Sequence, residues 1–168
     1  MRFARDPSRA PFPGRLSYVA AERGFLFQAE PVALGSALGE EGEASLCLDT
    51  LQLVASRDSG RVLFPCGYCP HTSWKAALVE PPPSAPGTLV LVEPTPGELL
   101  RGAGHDLDDR TWEIMVDRRS GWLRLAPPGA DPTPGAALEF APGCLASLDE
   151  QGRLVALHLH PAEGLTSA

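Results

Sequence analysis

LVASRDSGRVLFPCG at 53–67, EIMVDRRSGWLRLAPPG at 113–129 and LASLDEQGRLVALHLHP at 145–161 repeat one pattern. Each sets two apolar-rich runs on either side of a short charged stretch that closes on a glycine: Gly60, Gly121 and Gly152. A β-hairpin has this form when its turn ends at positive φ, a conformation glycine adopts without steric penalty. The three glycines are 61 and 31 residues apart. Such uneven spacing reads as separate hairpins of one domain rather than as a solenoid or propeller.

Working outward, 15–22 (RLSYVAAE) and 25–30 (FLFQAE) read as strands joined at Arg23–Gly24. The stretch 34–44 carries three glycines and reads as a loop with a short ordered piece. Residues 46–56 read as one run entering the first hairpin. After it, 73–79 (SWKAALV) suits a helical turn or an irregular strand. The proline-rich 81–87 (PPPSAPG) is a stiff connector that cannot occupy a central strand. TLVLVE at 88–93 and ALEF at 137–140 read as strands, and 127–135 (PPGADPTPG) as a loop. TPGE at 95–98 has threonine, proline and glutamate where a short helix begins.

The reading is therefore mainly β: a single-domain β-sandwich or partly open barrel built from hairpins, with one or two short helices. An irregular lead-in is expected at 1–14, the domain at 15–163 and a tail at 164–168. With 168 residues the chain is long enough for a substantial core without disulfides.

Composition narrows the function classes. Thirteen arginines stand against a single lysine, Lys75, and asparagine is absent, the mark of a GC-rich and, we expect, bacterial genome. The net charge of −7 disfavours nucleic acid, whose binding rests on neutralising phosphates, and suits a protein partner with a basic surface. No apolar run approaches the roughly 18 residues that span a membrane. The basic start of the chain is not followed by the apolar run of a signal peptide. These features lead to the expectation of a cytoplasmic protein with four reduced cysteines.

Chemistry-bearing residues collect in few places. PCGYCPH at 65–71 sets Cys66 and Cys69 in a C-x-x-C turn with His71 close behind. Two thiolates on one turn can reach adjacent corners of a zinc tetrahedron, and the same spacing serves dithiol redox chemistry. His158 and His160 alternate with Leu157 and Leu159, so period two puts both imidazoles on one face. That face is expected to be the solvent side of a terminal strand. Were the two sites to meet, Cys66, Cys69, His71, His158 and His160 would supply a metal site, with zinc as the candidate cofactor. His105, Asp106, Asp108 and Asp109 offer a histidine among carboxylates, and a solvated loop is the simpler account. Trp112 and Trp122 flank the second hairpin turn and are expected to pair across it. Tyr68 and Trp74, beside the cysteine turn, are the candidate binding residues. No catalytic motif is assembled. The reading that follows is a non-enzymatic binding module of the acidic interaction, immunity or inhibitor type. A zinc-binding protein or small metal-dependent enzyme is the alternative.

Overall fold

In the computed structural model, which describes residues 1–131, 135–163 and 165, two sheets enclose the main core, one of them curled into a half-barrel. The mainly β reading holds. No helix among the described residues is long and apolar enough to cross a membrane. The expected loop at 127–135 and tail at 164–168 lie partly outside the described residues, at 132–134, 164 and 166–168.

The eight-stranded sheet comprises β1 (Arg2–Asp6), β2 (Gly14–Val19), β3 (Gly24–Ala29), β4 (Glu43–Leu48), β5 (Leu51–Ser56), β6 (Arg61–Tyr68), β9 (Thr88–Glu93) and β10 (Gly104–Asp106). Its main path runs β1-β9-β6-β5-β4-β10, and β3 brings β2 in against the C-terminal end of β6. The seven-stranded sheet contains β7 (Lys75–Ala76), β8 (Ser84–Pro86), β11 (Glu113–Asp117), β12 (Trp122–Ala126), β13 (Ala137–Ala141), β14 (Cys144–Leu148) and β15 (Leu154–Leu159). Their order is β7-β11-β12-β15-β14-β13-β8. All three glycine-ended hairpins form, as β5–β6, β11–β12 and β14–β15.

Two expectations about early segments give way. Residues 1–14 are not an irregular lead-in, because Arg2–Asp6 pairs antiparallel with β9. Phe3 and Phe12 anchor the segment: both are buried, and Phe12 packs against Phe27 and Phe64 at ring-centroid distances of 6.2 and 5.7 Å. The run 46–56 is two strands, broken at Asp49–Thr50 into a further hairpin. An α-helix, α1 (Pro31–Leu38), occupies part of the expected loop, with proline in its first turn, the Glu30 carboxylate accepting from Ala33 N–H and Gly39 closing it. The TPGE signal does open a single 3₁₀ turn, Pro96–Glu98, with the Glu98 carboxylate accepting from the Thr95 N–H at 3.1 Å.

The proline-rich connector has an unexpected path. Strands β7 and β8 are the opposite edges of the seven-stranded sheet, and residues 77–83 alone join them. Residues 77–79 still follow β11, with Ala77 and Val79 bonded to Val116 and Asp117, and Pro83 O already accepts the Ala137 N–H at the far edge. The link therefore forms a short strap from one edge of the sheet to the other. The inner face is filled by Leu123, Leu125, Leu157 and Leu159, so the strap takes the outer one. There Leu78, Val79 and Glu80 share a small cavity with Met115 and Arg124, and Ala77 N–H donates to Val116 O at 3.0 Å. Prolines at 81–83 suit the role, since they lack N–H groups that would need partners.

The hairpin turns do more than reverse the chain. Gly60 and Gly152 have φ of +70° and +79°, and a β-carbon on either would lie 2.5 Å from a backbone oxygen, that of Leu91 or Phe3. Gly121 has φ of +79°, but its nearest neighbour is the movable His160 ring at 3.2 Å. Replacing each glycine by alanine separates conformation from space. Gly121→Ala should cost about 1–2 kcal/mol for the left-handed backbone, and Gly60→Ala and Gly152→Ala a further 1–3 kcal/mol for overpacking, read from urea unfolding midpoints.

Candidate functional site

A cleft of about 300 Å³ opens where the two sheets meet. One wall is the β4–β5 turn, Leu48 to Leu51, and another is Trp112, Glu113 and Ile114 at the start of β11. The end of β6 brings Tyr68, Cys69 and Pro70 to the same space. Tyr68 is 47 % exposed at this cleft, an amphipathic ring held at the end of a strand. Lys75 and Glu113 pair at 2.6 Å, which leaves Asp49 as the remaining charged group of the lining.

Asp49 also ties the walls together. It sits at φ +52° in the two-residue turn between β4 and β5, and its Oδ2 accepts the Trp112 N–H at 3.2 Å. Aspartate tolerates this left-handed backbone better than most residues, and a hydrogen bond to the opposite sheet offsets the strain. Trp112 in turn lies under the Arg110 guanidinium, 5.4 Å from the ring centroid. It does not pair with Trp122: Asp117 stands opposite Trp122, while Trp112 precedes β11. The tryptophans are equally spaced from Asp117 in sequence, but only one of them is in the ladder.

The cysteine turn is held by Tyr18. Its hydroxyl donates to Cys69 O at 3.2 Å and accepts the His71 N–H at 3.1 Å, with His71 Nδ1 also 3.1 Å away. Trp74 turns away from the cleft lining into this cluster, with its ring centroid 4.8 Å from that of Tyr18 and 6.4 Å from that of Phe25. Of the two candidate binding residues, then, Tyr68 lines the cleft and Trp74 buttresses the wall behind it.

The five candidate metal ligands are dispersed. Cys66 stands opposite Gln52 on the eight-stranded sheet, and Cys69 is buried. His71 belongs to the Tyr18 cluster. His158 lies on the other sheet in β15, the last strand of the chain but a central one in its sheet, so the face expected to meet solvent is covered at His158. His158 is fully buried beneath the outer layer. His160 lies beyond the end of β15, exposed, its ring tilted against that of Trp122 at 4.8 Å and bonded to Ser120 O at 3.2 Å. Among the described residues no three His, Cys, Asp or Glu side chains gather closely enough to hold a metal ion.

All four cysteines are free, and burial pushes every thiol up, Cys69 to about 11 and Cys144 well above the ordinary thiol range. Glu43 adds to the rise at Cys66, and Asp106 to that at Cys47. These are proton-bearing thiols, the reverse of the activated thiolate that dithiol exchange requires. The acid–base candidates also separate: His105 Nε2 bonds the Leu100 backbone, and Asp108 is taken by Arg110.

Sequence reasoning found Tyr68 but missed Asp49 and Trp112 as cleft residues. The one available signal was the Asp-Thr pair at 49–50, a turn-forming dipeptide between two apolar runs.

Two measurements follow from this geometry. Asp49→Ala should lose about 1.5 kcal/mol, mostly the bond to Trp112. Asp49→Gly should recover about 1 kcal/mol of that by relieving the backbone, in parallel urea titrations. At pH 8, Cys69 and Cys144 should resist a thiol-specific chromogenic reagent until denaturant is added, whereas half-buried Cys47 and Cys66 react slowly in the native protein. The chain matches no protein-family model, and no curated protein shows significant similarity to it.

Proposed function

We propose that this chain is a non-enzymatic binding protein whose recognition site is the cleft between its sheets, and whose partner is a protein with a basic surface. The observation that carries this reading is Tyr68, half-exposed at a 300 Å³ cleft to which both sheets contribute. Interface energy concentrates in a few aromatic and arginine anchors that become desolvated at the centre of the contact, and tyrosine is among the residues most enriched there. The cleft has an apolar floor of Leu48, Leu51, Ile114 and Leu125 and carries one carboxylate, Asp49, beside the Lys75–Glu113 ion pair. Such a site suits an apolar side chain flanked by lysine or arginine. The net charge of −7 would steer a basic partner toward it, an attraction that salt weakens.

The partner's role is to fill the cleft, and the role of Asp49 is to hold its shape while contributing charge. A random-peptide display library panned on the wild-type protein, with Tyr68→Ala as the counter-target, tests the reading. Enriched peptides should combine an aromatic or aliphatic anchor with basic neighbours. They should bind Tyr68→Ala at least tenfold more weakly, with an unchanged unfolding midpoint for that variant. Peptides that bind both proteins equally, or an enriched set without basic residues, would overturn it.

A further inference from the structure

The outer face of the seven-stranded sheet carries a second buried layer, separate from the main core. Val79, Ala126, Ala137, Leu145 and Ala156 are buried there, outside the cluster that forms the main core, and strap residues 78–80 lie over Met115 and Arg124. A row that holds three polar residues crosses this layer. Met115, Arg124, His158, Leu145 and Glu139 stand opposite one another in register on five successive strands.

His158 is the centre of that row. It is 0 % exposed, and among the described residues neither of its ring nitrogens has a hydrogen-bond partner. Its neighbour on β12 is Arg124, also buried, whose Nη2 donates to the carbonyls of Ala130 and Asp131 while its Nε has no partner among the described residues. On β14 the neighbours are Leu145 and Ser147, neither of them charged. The other charged groups on this face are more distant or differently engaged. On β11, Glu113 pairs with Lys75. Asp117, its carboxyl held below the usual range mainly by the Arg119 N–H and the Ser120 hydroxyl, also accepts the Val79 N–H of the strap. Glu80 of the strap lines the cavity beside Arg124, and Asp131 follows β12 and draws on Arg124 electrostatically. Glu139 lies two strands from His158 and accepts the Gly143 N–H at 3.0 Å, and His160 is out on Trp122. A neutral imidazole packed beside a guanidinium is tolerable, whereas an imidazolium there sets two buried cations side by side.

We propose that His158 and Arg124 form a proton-operated latch, in which protonation of His158 releases the 77–83 strap and the outer layer while the inner core stays packed.

Burial, with Arg124 adding to it, lowers the His158 pKa from an ordinary 6.5 to about 4. The sign follows from linkage. The opened form, with a solvated imidazole, binds the proton more tightly than the closed form. Closure is therefore favoured fully above pH 6.5 and loses about tenfold in its equilibrium constant per pH unit on the way down to about 4.

Hydrogen exchange of the full chain at pH 7, 6 and 5, corrected for intrinsic rates, tests the latch. The strap amides of Ala77 and Val79 are the reporters, since the first bonds Val116 O and the second faces the Asp117 carboxylate. Their protection should fall about tenfold per pH unit below 6.5, while amides of β5 and β6 keep theirs, and His158→Leu should abolish the pH dependence. Parallel loss of protection in β5 and β6, or the same pH profile in His158→Leu, would overturn the proposal. An imidazole NMR titration of the wild-type chain stands independently of the variant's folding. A shift midpoint for His158 below 5 supports the latch, and one near 6.5 refutes it.

Discussion

Unpaired backbone at the sheet edges is the constraint around which the molecule is organised. An open sheet edge is a row of N–H and C=O groups that must find partners or solvent, and a long bare edge invites a foreign strand. Here the edges are closed by the chain itself. Phe3 on β1 donates to Gly152 O at 2.7 Å, and Phe12 to Phe140 O, so the first strand and its sequel lie against the last two hairpins. Edge strand β2 is met by residues 162–163, with Ala162 N–H on Leu16 O and Tyr18 N–H on Glu163 O. The remaining edges, β7, β8 and β10, are stubs of two or three residues paired in parallel. The glycines at the turns are part of the same solution, because a side chain at Gly152 would push the β1 contact apart.

Edge closure also accounts for the double burial of the seven-stranded sheet. Joining β7 to β8 across six inter-strand gaps forces the connector over one face, and that face becomes a second interior. Its strands are consequently apolar on both sides, as in WLRLA and LVALHL, and the polar residues among them are enclosed with few partners. Burial of Arg124 and His158 is a consequence of where the strap must run.

The hairpins, the strand at 88–93 and the TPGE turn were legible because each depends on local chemistry: glycine at positive φ, alternating apolar residues, a capping pair. Segments whose order comes from distant partners were not. Phe3 and Phe12 sit among arginines and prolines, and nothing local announces that their rings reach the core. His158 alternates with Leu157 and Leu159 as period two requires, whereas His160 falls just past the end of the strand. Which side is covered depends on the strap, some eighty residues earlier. The cleft was half legible. Tyr68 stood out on a broken stretch of chain, whereas Asp49 and Trp112 acquire their roles only when two sheets meet.

The contact between Phe3 and Gly152 has a kinetic meaning as well. It joins residues 149 positions apart, and the Arg15–Glu163 ion pair spans nearly the same distance. Strand β1 also needs β9, some ninety residues away, before it can pair at all. During synthesis the amino-terminal segment must therefore wait, apolar rings uncovered, until the third hairpin has emerged from the ribosome. A topology with its first strand locked to its last hairpin folds late, slowly and as a whole, and its early residues are the ones a chaperone would meet first.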